Sequence, residues 1–67
     1  MKNKLEMLRR SIGIKQDELA DAMEVSRQTI SSLENGRYDP SLKLAFKLAK
    51  YFNMQIEEIF IYEEEGQ

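Results

Sequence analysis

Two amphipathic stretches set almost end to end decide most of what this chain can become. Residues 16–23 carry Leu19, Ala20 and Met23 at helical spacing, and beyond Arg27 the apolar positions Ile30 and Leu33 are again three apart. Between them stand only Glu24-Val25 and then Ser26, whose hydroxyl suits a helix N-cap. Helices joined so tightly cannot lie antiparallel, so they cross steeply, and apolar groups must fall at the crossing. Leu19, Met23, Val25, Ile30 and Leu33 do so, and Ala20 is small where the second helix passes closest.

The rest of the chain reads as short helices around that corner. Leu5, Leu8 and Ile12 recur at i, i+3 and i+7, predicting a first amphipathic helix that Gly13 ends. Asn35-Gly36 stops the third helix, as Gly just past a helix end does. A loop, Arg37-Tyr38-Asp39-Pro40, leads to a fourth helix with Leu44, Ala45, Leu48 and Phe52 inward. Its cap is either Ser41, or Asp39 with Pro40 at the first helical position. Asn53 ends that helix, and Ile56, Ile59 and Phe60 make one more short turn. Ile61-Tyr62 offers at most a short edge strand before the tail. The expectation is an all-α five-helix bundle over residues 1–60, with residues 61–67 as a C-terminal tail.

Composition removes most chemistry. The 67 residues include no Cys and no His, which excludes disulfides, thiolate nucleophiles, imidazole bases and the common zinc sites. An enzyme would need a pocket of carboxylates, Lys or Tyr, for which so small a bundle has little room. No cofactor, metal or small-molecule ligand is expected. The glutamates at 63–65 are consecutive and cannot all converge on one ion. The longest apolar run, residues 59–62, is far too short to span a bilayer. The N-terminus has positive charge without the apolar stretch of a signal peptide. With no Cys, the expected location is the cytoplasm, away from membranes.

Formal charge is −2, which by itself argues against a nucleic-acid partner. The distribution argues otherwise. Asp17, Glu18, Asp21, Glu24, Glu57, Glu58, Glu63, Glu64 and Glu65 account for nine of the twelve acids, in two clusters. Segments 1–16 and 25–56 hold all ten Lys and Arg against only Glu6, Glu34 and Asp39.

The corner at residues 16–33 has the sequence form of a helix-turn-helix, whose second helix is presented to the DNA major groove. Gln16-Asp-Glu-Leu-Ala20, Val25-Ser-Arg-Gln-Thr-Ile30 and Leu33-Glu-Asn-Gly36 resemble the phage-repressor and Cro-like XRE family of regulators. Pro40-Ser-Leu, Leu44, Leu48, Ala49 and the Ile56-Glu-Glu-Ile-Phe60 ending resemble its short stand-alone members, so the likeness covers roughly residues 3–60. One departure is Glu24, where the family often has Gly. A non-Gly residue at positive φ costs roughly 1 kcal/mol there.

If Ile30 and Leu33 face inward, Gln28, Ser32 and Asn35 face outward, flanked by Arg27 and Ser31. Gln pairs bidentately with adenine and Arg with guanine, so Gln28 is assigned to base reading, against a merely solvated polar face. Arg27 either reads a guanine or holds a phosphate. Ser31 and Ser32 are short, tolerant base contacts. Ser26 caps its helix and is placed to meet the backbone as well. The resemblance implies phosphate contacts from Gln16, at a helix N-terminus that favours anions, and from Asn35. Arg37, Tyr38 and Lys43 are further phosphate candidates, each with a plain surface role as the alternative. The resemblance also implies that Glu18 lies at the inner edge of the helix pair, where Arg9 or Arg10 is the expected partner.

The resemblance also implies a two-fold dimer on a palindromic site of double-stranded DNA, acting as a repressor. Tyr51, Met54, Ile61 and Tyr62 are the candidate interface, with the tail pairing strand to strand. The alternative is that residues 60–62 close the base of the monomer. A different class of function, an antitoxin-like or accessory protein-interaction module on the same fold, stays open beside the DNA-binding one.

Overall fold

The computed structural model describes residues 1–63. In chain order they form β1 (Lys2–Asn3), α1 (Leu5–Ser11), α2 (Gln16–Met23), α3 (Arg27–Glu34), α4 (Leu42–Phe52), α5 (Ile56–Ile59) and β2 (Phe60–Ile61). The five expected helices are present. The added element is an antiparallel pair joining the two ends of the domain, with Lys2 opposite Ile61 and Asn3 opposite Phe60. The strand seen in the sequence at 61–62 therefore lies one residue earlier, and its partner is the same chain's β1. Lys4 N–H extends this pairing by donating to the Ile59 carbonyl at 2.8 Å.

Side-chain chemistry sets each helix start. Asn3 Oδ1 accepts from Leu5 N–H at the start of α1. Glu18 turns back to accept from Lys15 N–H at 2.8 Å, and Glu58 does the same for Gln55 N–H. Ser26 Oγ accepts from Thr29 N–H and Ser41 Oγ from Leu44 N–H, each at 3.1 Å, so Ser41 is the cap of α4. Two helices end on non-glycine residues in the left-handed region, Glu24 at φ 62° and Asn53 at φ 55°. At Glu24 the Lys47 ammonium compensates, donating to the Met23 carbonyl at 2.7 Å and to the Glu24 carboxylate at 3.1 Å.

Leu5, Leu19, Ile30, Leu33, Leu48 and Ile59 are fully buried, so every helix puts at least one large aliphatic group into a single core. Each is worth about 1.5–3 kcal/mol of transfer from water. Ala20 is 2% exposed on α2, which packs against α3, as a close passage of the two helices requires. Ile12 departs from its expected inward place. The chain has left the helix there, Ile12 is 51% exposed, and Ile14 packs on the core in its stead. Among the described residues no helix is long and apolar enough to cross a membrane.

Candidate nucleic-acid interface

α3 buries Ile30 and Leu33 and turns Arg27 and Gln28 fully outward, with Ser31 and Ser32 half-buried at its flanks. A shallow polar cleft of about 420 Å³ opens along this face, lined by Ser26, Gln28, Thr29, Ser32, Arg37 and Tyr38. Five residues singled out in the sequence for two different tasks thus surround one hollow. Gln28 and Ser32 come from the helix, Ser26 from its cap, and Arg37 and Tyr38 from the loop after it. Thr29 is the sixth. The sequence pattern carries no sign of it, and its Oγ1 lies 2.9 Å from Ser26 Oγ.

Arg27 faces the opposite flank. It shares a hollow of about 490 Å³ with Arg9, Lys15, Gln16 and Asp17 at the N-terminus of α2. Lys15 was also missed, although its place directly before Gln16 was the signal. The free N–H groups of a helix start and an adjacent ammonium favour the same anion. Lys43 stands apart from both hollows, beside Met23, Glu24, Val25 and Ser41 at the turn between α2 and α3. Asn35 is exposed at the far end of α3, beside Met1, Asn3 and Gly36.

Beneath the Arg27 hollow lies a polar cluster that ties three helices together. Arg9 Nε donates to Glu34 Oε2 at 2.6 Å and Arg9 Nη2 to Oε1 at 3.2 Å. Gln16 Nε2 donates to the same Oε1 at 2.9 Å, and Arg9 Nη1 to the Ile14 carbonyl at 2.8 Å. The Glu34 side chain is 2% exposed, so its charge is matched inside the protein and does not project from α3. The hydrogen bond with Glu34 holds the Arg9 guanidinium above its ordinary pKa, against the downward push of burial. Gln16 spends one amide N–H on Glu34 and keeps a second for an external acceptor. Glu18 does not pair with Arg9 or Arg10. It is exposed and caps its own helix, while Arg10 pairs with Glu6 at 2.9 Å.

The four apolar residues expected at a subunit contact are not brought together. Met54 lines a groove with Phe46, whereas Ile61 and Tyr62 line the cleft beside Met1 and Asp39. Tyr51 packs edge-on against Phe52 at 5.1 Å. At 3.6 residues per turn it stands about 140° round α4 from Phe46. Of the tail, residues 64–67, including Glu64 and Glu65, lie outside the described residues.

Comparison with known proteins agrees with this arrangement. A family model described as helix-turn-helix matches residues 5–59. An uncharacterised HTH-type transcriptional regulator of Methanocaldococcus jannaschii is 57% identical over 65 residues, covering 97% of this chain and 98% of the relative. A similarly described regulator of Bacillus subtilis is 46% identical over 66 residues, 98% of this chain and 100% of the relative. Among solved structures, the restriction-modification controller protein C.AhdI of Aeromonas hydrophila superposes with a TM-score of 0.75 at 30% identity. That match covers 85% of this chain and 86% of the other. With α2 and α3 joined through residues 24–26 and packed together, a polar outward α3 and these matches along nearly its whole length, the chain belongs to the XRE-type helix-turn-helix family of DNA-binding transcriptional regulators.

Proposed function

We propose that the protein is a sequence-specific reader of double-stranded DNA, acting as a repressor that occludes a promoter and binding a palindromic operator as a homodimer. The observation that carries this reading is the shared cleft of Gln28, Ser32, Arg37 and Tyr38 on the outward side of α3. In it Gln28 reads a base edge in the major groove, with Ser31 and Ser32 as shorter contacts beside it. Arg37, Tyr38 and Ser26 hold the strand on one side. Arg27, Lys15 and Gln16 hold it on the other, with Asn35 and Lys43 at the margins. Such phosphate contacts fix register and carry no sequence information. Two copies related by a two-fold axis would place their α3 helices one DNA turn apart, about 34–36 Å.

The test is selection of random duplexes on the purified protein at near-physiological salt, followed by sequencing. An enriched palindrome with half-sites centred about 10–10.5 base pairs apart is the expected result. No enrichment from folded protein would overturn the DNA-reading role and favour the protein-interaction module.

A further inference from the structure

The outward side of α4 carries large apolar groups that the core leaves over. Leu42 is 70% exposed and Phe46 53%, and the four-residue spacing sets them in one row with Lys50. Beside Phe46 a groove of about 300 Å³ runs between α4 and α5, lined by Ala49, Lys50, Met54 and Glu58 among others. An apolar ridge and an apolar hollow therefore share one face, and one cation and one anion stand at the rim of the hollow.

We propose that this face seats a second copy of the chain, across a two-fold axis passing close to Phe46. The proposal rests on the homodimer reading above and gives that dimer its contact surface. In a two-fold contact residue i meets the partner's j while j meets the partner's i. Two α4 helices running antiparallel about Phe46 set each Leu42 against the aliphatic stem of the partner's Lys50. The ammonium of each Lys50 then reaches the partner's Glu58, one of whose carboxylate oxygens is already engaged by Gln55 N–H. A groove with a purely basic rim would ask for an acidic partner. A groove carrying both signs beside its own ridge is complementary to itself. Met54 keeps its place in the interface, while Tyr51, Ile61 and Tyr62 lie outside it.

Sedimentation equilibrium on the full chain tests this. The unaltered protein is expected to be a dimer. Phe46→Glu, at an exposed position, should keep the helical circular dichroism and raise the dimer dissociation constant about thirtyfold or more, the size of a lost aromatic anchor. Lys50→Glu and Glu58→Lys each place two like-charged pairs in their own homodimer and should weaken it about tenfold. An equimolar mixture of those two variants should dimerise as well as the parent, because both cross-pairs are then of opposite sign. A salt bridge within one chain gives no such rescue. The seat is overturned, with the homodimer standing, if these variants self-associate like the parent while Tyr51→Ala or Tyr62→Ala dissociates. It is likewise overturned if the mixture is no tighter than its components. A parent chain that is monomeric both free and on DNA overturns the homodimer reading itself, and the seat with it.

Discussion

Arg9 on α1 and Glu34 on α3 meet at 2.6 Å through Nε and Oε2, with side chains only 9% and 2% exposed. This pair joins α1 to the end of α3, and it also presents the acceptor that holds Gln16. Removing one partner strands the other charge without water. Arg9→Met is therefore expected to cost about 3–5 kcal/mol. For a domain whose whole stability is of the order of 5–15 kcal/mol, that is a large share. Urea unfolding followed by circular dichroism measures it. Arg9→Met combined with Glu34→Leu should recover most of the loss, because no unpaired charge remains. Since the guanidinium is held above its ordinary pKa, it stays charged through neutral and alkaline pH, and its contribution is lost only as pH rises through that raised value. It should not vary between about pH 7 and about pH 10.

The same cluster predicts how Gln16 behaves on DNA. Glu34 fixes the amide in place, so its remaining N–H is oriented before any phosphate arrives. Gln16→Ala should weaken binding to all duplexes alike and leave the preferred sequence unchanged. Gln28→Ala should behave differently, costing about 1–3 kcal/mol on the preferred site and relaxing one base position. Titrations on the selected operator and on a scrambled duplex separate the two outcomes. Equal loss on both duplexes for Gln28→Ala would make it a backbone contact.

How far the sequence carried this picture follows from the range of each interaction. The corner was legible because its requirements are local: a two-residue connection, a small Ala20, a Ser26 cap and apolar groups three apart. The outward face of α3 followed from Ile30 and Leu33 by helical period alone. Pairings between distant positions were hidden. Arg9 finds Glu34 across 25 residues, whereas Glu18 offered a nearer carboxylate that instead caps its own helix. The joining of Lys2–Asn3 to Phe60–Ile61 was also out of reach, since two residues are too few to show an alternating pattern. Phe46 gives no signal of its own in the sequence, since Leu44, Leu48 and Phe52 already supply an inner face and a further aromatic on a helix does not reveal that it is 53% exposed.

Glu24 and Asn53 both end helices in the left-handed region, and their side chains predict opposite responses. Any Cβ is disfavoured there by about 1–2 kcal/mol, an amount that Asn reduces by local hydrogen bonding. Glu24→Gly should stabilise the domain by up to about 1 kcal/mol, less whatever is lost with the exposed contact to Lys47. Asn53→Ala should destabilise by about 1 kcal/mol. Paired thermal melts settle it, and a lower melting temperature for Glu24→Gly would show that Lys47 matters more than the strain.

The dependence of affinity on salt predicts both the phosphate contacts and the number of copies bound. Log K falls with log salt at a slope near −0.9 for each phosphate neutralised. Lys15, Arg27 and Arg37 line the two hollows of the proposed face, and Lys43 stands at its margin. Arg37→Ala removes one contact per copy, so the slope should become shallower by about 0.9 for a monomer and about 1.8 for a dimer. Lys50→Ala, on the outer side of α4, should leave the slope unchanged as long as the protein is held above its dimerisation midpoint. An Arg37→Ala slope equal to that of the parent would mean that this arginine never reaches the backbone, and the cleft beside Gln28 would lose its anchor on that side.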